Sequence, residues 1–300
     1  RDPLETTVLW ELAYGAQRGG GQTAGFMLEA LSGIDTALWD IKGKALGLPV
    51  AQLLGGAFRD RVPVYASPVP FLPTPEESAR GATAFVGQGF RGGKLKVGRG
   101  VAVDVDHVAA VREAISPEVD LMLDLNCAYD ARTAVALARQ VLPYDVFWIE
   151  EPVPPEDLDG LAEVHRRAEM PVVTGESVYT AFAMRDILVR GAADSLQPNV
   201  AKAGGITECA RIGELARLFN VSIAPHGVGS GLAIAAALQW CASLPNLLVY
   251  EANRFFNPLR EAVITEKIEI ENGCLVVPPG PGLGVSLDEE GMAPYVVGRF

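Results

Sequence analysis

This sequence is short of positive charge relative to negative. Its 25 lysines and arginines stand against 37 aspartates and glutamates, a net charge of -12. Such a chain lacks the basic face that nucleic acid or an anionic membrane surface requires, so neither is expected as a partner. Cysteine is scarcer still. The four present, Cys127, Cys209, Cys241 and Cys274, form no C-x-x-C pair, and only three histidines could join them. Neither a zinc cluster nor a disulfide framework is predicted, and a reducing, cytoplasmic setting is the expectation. Long apolar runs are missing too. The longest, around Leu232 to Leu244, is interrupted by Gln239 and falls short of the roughly 18 to 20 residues of a membrane span. No signal peptide is visible at Arg1. The opening Arg1-Asp2-Pro3-Leu4 runs straight into a helical pattern, so a preceding segment is expected to be missing and targeting stays open.

What is present suffices for one barrel and an accessory layer: 300 residues, 49% of them hydrophobic. Apolar positions recur at helical spacing through Leu9, Leu12 and Ala13, then through Phe26, Leu28, Leu31, Ile34, Ala37, Leu38 and Ile41, with Gly19-Gly20-Gly21 separating two helices. Strands and helices then alternate. Strands are predicted at 62–66, 94–97, 121–125, 146–149, 172–175, 195–197, 222–224 and 247–250, with helices such as 104–115, 131–141, 158–168 and 206–219 between them. Thr74-Pro75-Glu76-Glu77 is a helix start, with a capping hydroxyl, proline in the first turn and acids at the positive end of the dipole. Eight strands with intervening helices predict an α/β fold closed into a parallel barrel. After Asn257 the pattern changes, and 268–270 and 275–277 read as short antiparallel strands outside the barrel. The expected division is 1–58 helical cap, 59–256 barrel and 257–300 returning to the cap.

In a parallel βα barrel the active site lies at the carboxyl-terminal rim, so polar residues ending strands are the catalytic candidates. These are Lys96, Asp124, Glu150, Glu176, Asn199, His226 and Glu251, separated by 28, 26, 26, 23, 27 and 25 residues, one for each βα unit. Asp124, Glu150 and Glu176 on neighbouring strands would crowd three carboxylates together, which requires protons or a cation between them. Hard oxygen donors without thiol or imidazole suit Mg²⁺. Glu151 should point away from the site and play a supporting or surface role. Lys94 and Lys96 share one strand face, where two ammonium groups would depress each other's pKa and make a usable base. His226 has its place fixed by the repeat, whereas His107 and His165, within helices, read as structural. Gly227, Gly229 and Gly231 suggest an anion cradle, but a tight turn into the next helix explains them equally.

These residues carry a family likeness that extends over nearly the whole chain. Lys94-Leu95-Lys96, Asp124 with Asn126 supporting it, Glu150 in Trp148-Ile149-Glu150-Glu151-Pro152, Glu176 in Gly175-Glu176-Ser177, Gln197-Pro198-Asn199, Pro225-His226 and Glu251 resemble the motifs of the mandelate racemase and muconate lactonizing enzyme group of the enolase superfamily. The resemblance implies a modified TIM barrel, (β/α)7β, capped by an α+β domain made from both chain ends, and in this chain the cap's N-terminal sheet is expected to be missing. It implies a Mg²⁺-dependent homo-oligomeric enzyme acting on a small-molecule carboxylate, an acid sugar or lactone. Lys96 would remove the proton α to that carboxylate to give an enediolate, His226 would serve the opposite face, and Glu251, protonated or sharing a proton, would donate to the substrate.

One position departs from the family pattern. An aspartate normally partners the histidine, and Asn199 stands in its place. A neutral amide orients an imidazole but does not stabilise its cation, which disfavours two-base racemisation. Dehydration of an acid sugar to a 2-keto-3-deoxy acid is the first reading, then sugar-lactone cycloisomerisation, then epimerisation, and last a homologue that binds metal and acid without turnover.

Overall fold

A computed structural model describes residues 1–298 of the chain. Two helices open it, α1 (Thr6–Gly19) and α2 (Phe26–Leu46), followed by the single turn α3 (Val50–Leu53). The alternating body comprises β1 (Arg61–Val69), α4 (Pro75–Gly87), β2 (Gly92–Lys96), α5 (Val101–Ala114), β3 (Asp120–Asp124), α6 (Ala131–Val141), β4 (Val146–Glu150) and α7 (Leu158–Arg167). It continues through β5 (Val172–Thr174), α8 (Thr180–Val189), β6 (Ser195–Leu196), α9 (Gly205–Leu218), β7 (Ser222–Ile223), α10 (Gly231–Ser243) and β8 (Tyr250–Asn253). The tail adds α11 (Leu259–Ala262), β9 (Ile270–Glu271), β10 (Cys274–Val276) and α12 (Glu289–Met292).

Strands β1 to β7 pair in parallel in chain order, and β8 pairs in parallel with β1. The remaining seam, β7 to β8, is closed by the parallel bridge Ile223 to Leu247 and by the Glu251 N–H donating to the Pro225 carbonyl at 3.2 Å. The eight strands therefore form the expected α/β barrel. One strand is displaced from its expected place: β8 occupies 250–253 rather than 247–250, so Glu251 lies within the strand instead of just beyond it. The apolar run Leu247-Leu248-Val249 precedes the ladder to β1 and contributes only the bridge to β7.

Packing follows from strand alternation. Outward-facing side chains such as Leu95, Leu121, Leu123, Ile149 and Val172 join the helices in one large core, while Tyr65, Met122, Trp148, Val173 and Ala224 fill the barrel interior. Tyr65 and Trp148 meet edge to face, with centroids 5.3 Å apart, and form a floor beneath the polar rim. Local signals set the helix ends. Thr74 and Glu77 form a reciprocal capping box at α4, and Asp130 caps α6 by accepting the Thr133 N–H at 2.8 Å.

Helices α1 and α2 are tied to the turn between β6 and α9. The Trp10 indole donates to the Gly204 carbonyl at 2.7 Å, Ser32 Oγ accepts the Gly204 N–H at 3.0 Å, and Asp35 accepts both the N–H and the hydroxyl of Thr207, at 2.8 and 2.6 Å. Gly205 must be glycine here: its φ is +85°, and a Cβ would lie 2.4 Å from Asp35 Oδ2. The tail hairpin lies closer to the barrel than expected, since β10 pairs antiparallel with the first residues of β1. Residues 282–283 then reach α2, where the Leu283 N–H donates to Asp40 at 2.9 Å. Among the described residues no helix is long and apolar enough to cross a membrane.

Candidate active site

Parallel register sets the first half of the site. Lys96, Asp124 and Glu150 are directly paired Cα neighbours across β2, β3 and β4, so three strand-end side chains stand level at one rim. The next pairing, Glu150 with Val173, leaves Glu176 three residues further along. The equal spacing of the three acids therefore does not make them structurally equivalent: Glu176 is supplied by the loop after β5. Gly175, at φ +130°, turns that loop inward, where a Cβ would meet Gln197 N at 3.0 Å and Met184 Cε at 3.1 Å. The outcome is nonetheless a cluster, with one carboxylate oxygen from each of Asp124, Glu150 and Glu176 within 4.8 Å of the others.

Lys94 and Lys96 share a strand face but not an environment. Lys94 is fully buried beneath the acids, in contact with Glu150, 3.2 Å from Asp124 and 3.3 Å from Glu251. Lys96 contacts Asp124 and keeps 28% of its side chain exposed, on the open side of the cluster. The expected mutual depression of the lysines does not hold for Lys94. Burial alone pulls it down, but Glu150 and Glu251 outweigh that and lift it well above the usual lysine range.

One enclosed cation cannot neutralise several carboxylates, and the acids divide accordingly. Burial, then the charge of Asp124, pushes Glu150 well above the usual carboxylate range. Burial pushes Asp124 the same way, but Lys94 and Lys96 outweigh it and hold Asp124 below that range. At Glu251 burial is overcome chiefly by Lys94, helped by the Gly227 N–H, so its carboxyl sits below the usual range. The expectation that Glu251 is protonated or shares a proton is thus reversed in this arrangement.

The second half of the site is carried by loops. Asn199 and His226 each lie three residues past their strands, β6 and β7. The Asn199 amide nitrogen is 2.8 Å from His226 Nδ1, and His226 Nε2 is 3.5 Å from Glu176 and 3.7 Å from Glu251. Gly227 donates its N–H to Glu251 at 2.9 Å, and a Cβ on Gly227 would lie 1.7 Å from the Glu251 carbonyl oxygen. Close backbone approach therefore explains this glycine.

Asn126 supports Asp124 through its backbone, donating its N–H at 2.9 Å from a left-handed φ of 42°. Glu151 is buried, which removes the surface role, and it accepts from the Cys127 thiol at 3.4 Å. Gln197, legible beforehand only as part of a motif, donates to Glu150 at 2.7 Å from full burial. His107 stacks on Phe71 with centroids 3.9 Å apart, and His165 lies 3.2 Å from Asp194, both with structural partners.

The donor set fits a divalent cation. Glu176 Oε2 is buried without a hydrogen-bond partner, and the three ligand candidates are all carboxylate oxygens, as a hard ion prefers.

Comparison with known proteins agrees with this geometry. Residues 77–291 match the enolase C-terminal domain-like family, and residues 3–55 match the mandelate racemase / muconate lactonizing enzyme N-terminal domain. The chain is 39% identical to a D-galactarolactone cycloisomerase of Agrobacterium fabrum, over 98% of its own length and 81% of that protein. It is 33% identical to a D-xylonate dehydratase of Haloferax volcanii, over 99% of this chain and 76% of the relative. Among solved structures, the 3,6-anhydro-D-galactonate cycloisomerase of Zobellia galactanivorans superposes with a TM-score of 0.92 at 38% identity, covering 98% of this chain and 83% of that one. Barrel, rim and sequence agree: this chain is an enzyme of the lyase or isomerase type and belongs to the mandelate racemase / muconate lactonizing enzyme family of the enolase superfamily.

Proposed function

We propose that the protein abstracts the proton α to the carboxylate of an acid sugar or its lactone, with Lys96 as base, and that loss of the β-oxygen substituent follows. The relatives' reactions, dehydration of acid sugars and cycloisomerisation of a sugar lactone, support this substrate class. The observation that carries the reading is the contrast between the two lysines. Lys94 is sealed among acids that keep it a cation, while Lys96 stands beside Asp124 on the open side, where a substrate bound at the carboxylate cluster would present its α-carbon.

Asp124, Glu150 and Glu176 would hold Mg²⁺, which when bound supplies positive charge for the oxygens that become negative as the α-proton leaves. Gln197 steadies Glu150, and the Asn126 N–H steadies Asp124, so two ligand oxygens are pre-oriented. Lys94 keeps a fixed positive charge beneath the cluster. Glu251, held by Lys94 and the Gly227 N–H, faces His226. Tyr65 and Trp148, both buried, pack edge to face beneath the site.

A panel of hexaric and aldonic acids and their lactones, assayed with Mg²⁺ and with chelator, tests the proposal. A 2-keto acid formed only with the metal, and lost in Lys96→Ala, is the expected result. Unchanged turnover in Lys96→Ala refutes it.

A further inference from the structure

The Asn199 amide has its orientation fixed by backbone atoms. Its Oδ1 accepts the Ala201 N–H at 2.8 Å, and its Nδ2 donates to the Val228 carbonyl at 3.0 Å. Turning the amide over would set N–H against N–H and carbonyl against carbonyl, exchanging two hydrogen bonds for two repulsions at a residue only 4% exposed. The second proton of Nδ2 therefore points at His226 Nδ1, 2.8 Å away, and that ring nitrogen must offer a lone pair. The ring proton is then on Nε2, the atom facing Glu176 and Glu251.

We infer that Asn199 holds His226 as the Nε2–H tautomer, and that the enzyme's substrate class is the lactone of an aldaric acid, opened by β-elimination. The inference rests on the proton abstraction proposed above. A histidine that gives or takes a proton at Nε2 must carry one at Nδ1 while doing so, and here that proton would face the Asn199 N–H. An aspartate at 199, which only accepts, would favour the opposite tautomer. On this side of the site the protein supplies a hydrogen bond and no proton.

The leaving group must suit that supply. Lys96 takes the α-proton, the C–H pair becomes the Cα=Cβ bond, and the Cβ–O bond breaks with its electrons on oxygen. A departing hydroxyl needs a proton, because its conjugate acid, water, has a pKa of 15.7. The ring oxygen of a lactone departs as a carboxylate, whose conjugate acid has a pKa of about 4, and needs none. The ring-opened enol then takes one proton from water at Cβ to become the 2-keto diacid, so the product is an isomer of the lactone. One carboxyl of the aldaric acid activates the α-proton, and the other, closed as the lactone, is the leaving group.

The test is a two-bond ¹H–¹⁵N spectrum of protein labelled with ¹⁵N-histidine, with and without Mg²⁺, using His226→Gln to identify the His226 signals. The expected spectrum has a protonated Nε2 and a lone-pair Nδ1 in both samples, and a protonated Nδ1 in either overturns the inference. In assays, aldarolactones should turn over about 100-fold or more faster than the open aldarates, the span that one general acid controls. Equal rates also overturn it. Asn199→Asp should move the ring proton to Nδ1 and raise dehydration of open acids by about 100-fold. Should that variant not fold, the wild-type spectrum decides. Lys96→Ala separates the two proposals: surviving α-proton exchange there defeats the base assignment, whereas a protonated Nδ1 defeats only the tautomer and the lactone preference.

Discussion

The two halves of the rim are built differently. From β2 to β4 the functional groups stand in one ladder row, Lys96, Asp124 and Glu150, where each Cα is fixed by its neighbours' backbone hydrogen bonds. From β5 to β8 the strands are short, and the side chains Glu176, Asn199 and His226 come from loops two or three residues beyond them. Those loops are held from outside, by helices α1 and α2 clasping Gly204 and Thr207 and by glycines that let backbones approach closely. The ladder half carries the proposed base and two of the proposed metal ligands. The loop half carries the groups proposed to decide which bond breaks next, and it contains the residue that departs from the family pattern, Asn199.

Breaking the ladder half chemically should have the largest effect. Lys96→Ala is expected to lower turnover by about 10²- to 10⁴-fold, the contribution of a positioned general base, while Mg²⁺ affinity measured by calorimetry stays close to wild type. Removing its buried neighbour should cost stability instead. In Lys94→Met the carboxylates lose their enclosed counter-ion, and unfolding in chelator should become easier by about 3 to 5 kcal/mol, with Mg²⁺ restoring much of the loss. Urea titrations with and without the metal check both halves of that statement.

The loop-borne ligand gives the next effect. Mg²⁺ at a hundred times its dissociation constant should stabilise the wild type by about 2.7 kcal/mol, and Glu176→Gln should remove most of the accompanying rise in melting temperature. A full rise in that variant would show that the ladder acids hold the ion without the loop.

The smallest effect concerns the clasp that holds the loop half. Burial lifts Asp35 to about 6, against the hydrogen bonds from Thr207 that favour its charged form. The folded protein thus binds this proton more tightly than the unfolded chain, where an aspartate titrates near 3.9. Its contribution to stability is full below about pH 4 and is lost as pH rises through about 6, a change of about 2 to 3 kcal/mol. Asp35→Asn, which keeps the side chain's shape and one acceptor oxygen but cannot titrate, should lack this downward slope when its pH–stability curve is compared with that of the wild type.

What could be read from the sequence divides along the same line. Strand-end residues in the ladder half follow from apolar alternation, because parallel register turns sequence position directly into height along the barrel. Glu176 and His226 were legible as site residues through their spacing and motifs, but their placement depends on the φ-positive Gly175, on the close backbone approach at Gly227 and on loop paths that alternation does not encode. The displacement of β8 has a similar cause: Leu247-Leu248-Val249 has strand-like composition, yet the register with β1 begins only at Tyr250. Charge states were the least legible. Whether Lys94 is depressed or raised depends on three carboxylates arriving from β3, β4 and β8, and no local pattern around Lys94 reveals them. The Asn199 substitution was visible at once, but the direction of its amide became clear only from the backbone groups of Ala201 and Val228.

The assignment of Lys96 as the base that removes the α-proton is tested most directly by deuterium. Wild-type enzyme with Mg²⁺ in D₂O, given an α-hydroxy acid sugar or its lactone, should place deuterium at the α-carbon of recovered substrate or at Cβ of the keto acid product. Lys96→Ala should place none at either carbon. Deuterium incorporated by Lys96→Ala at the wild-type rate would contradict it.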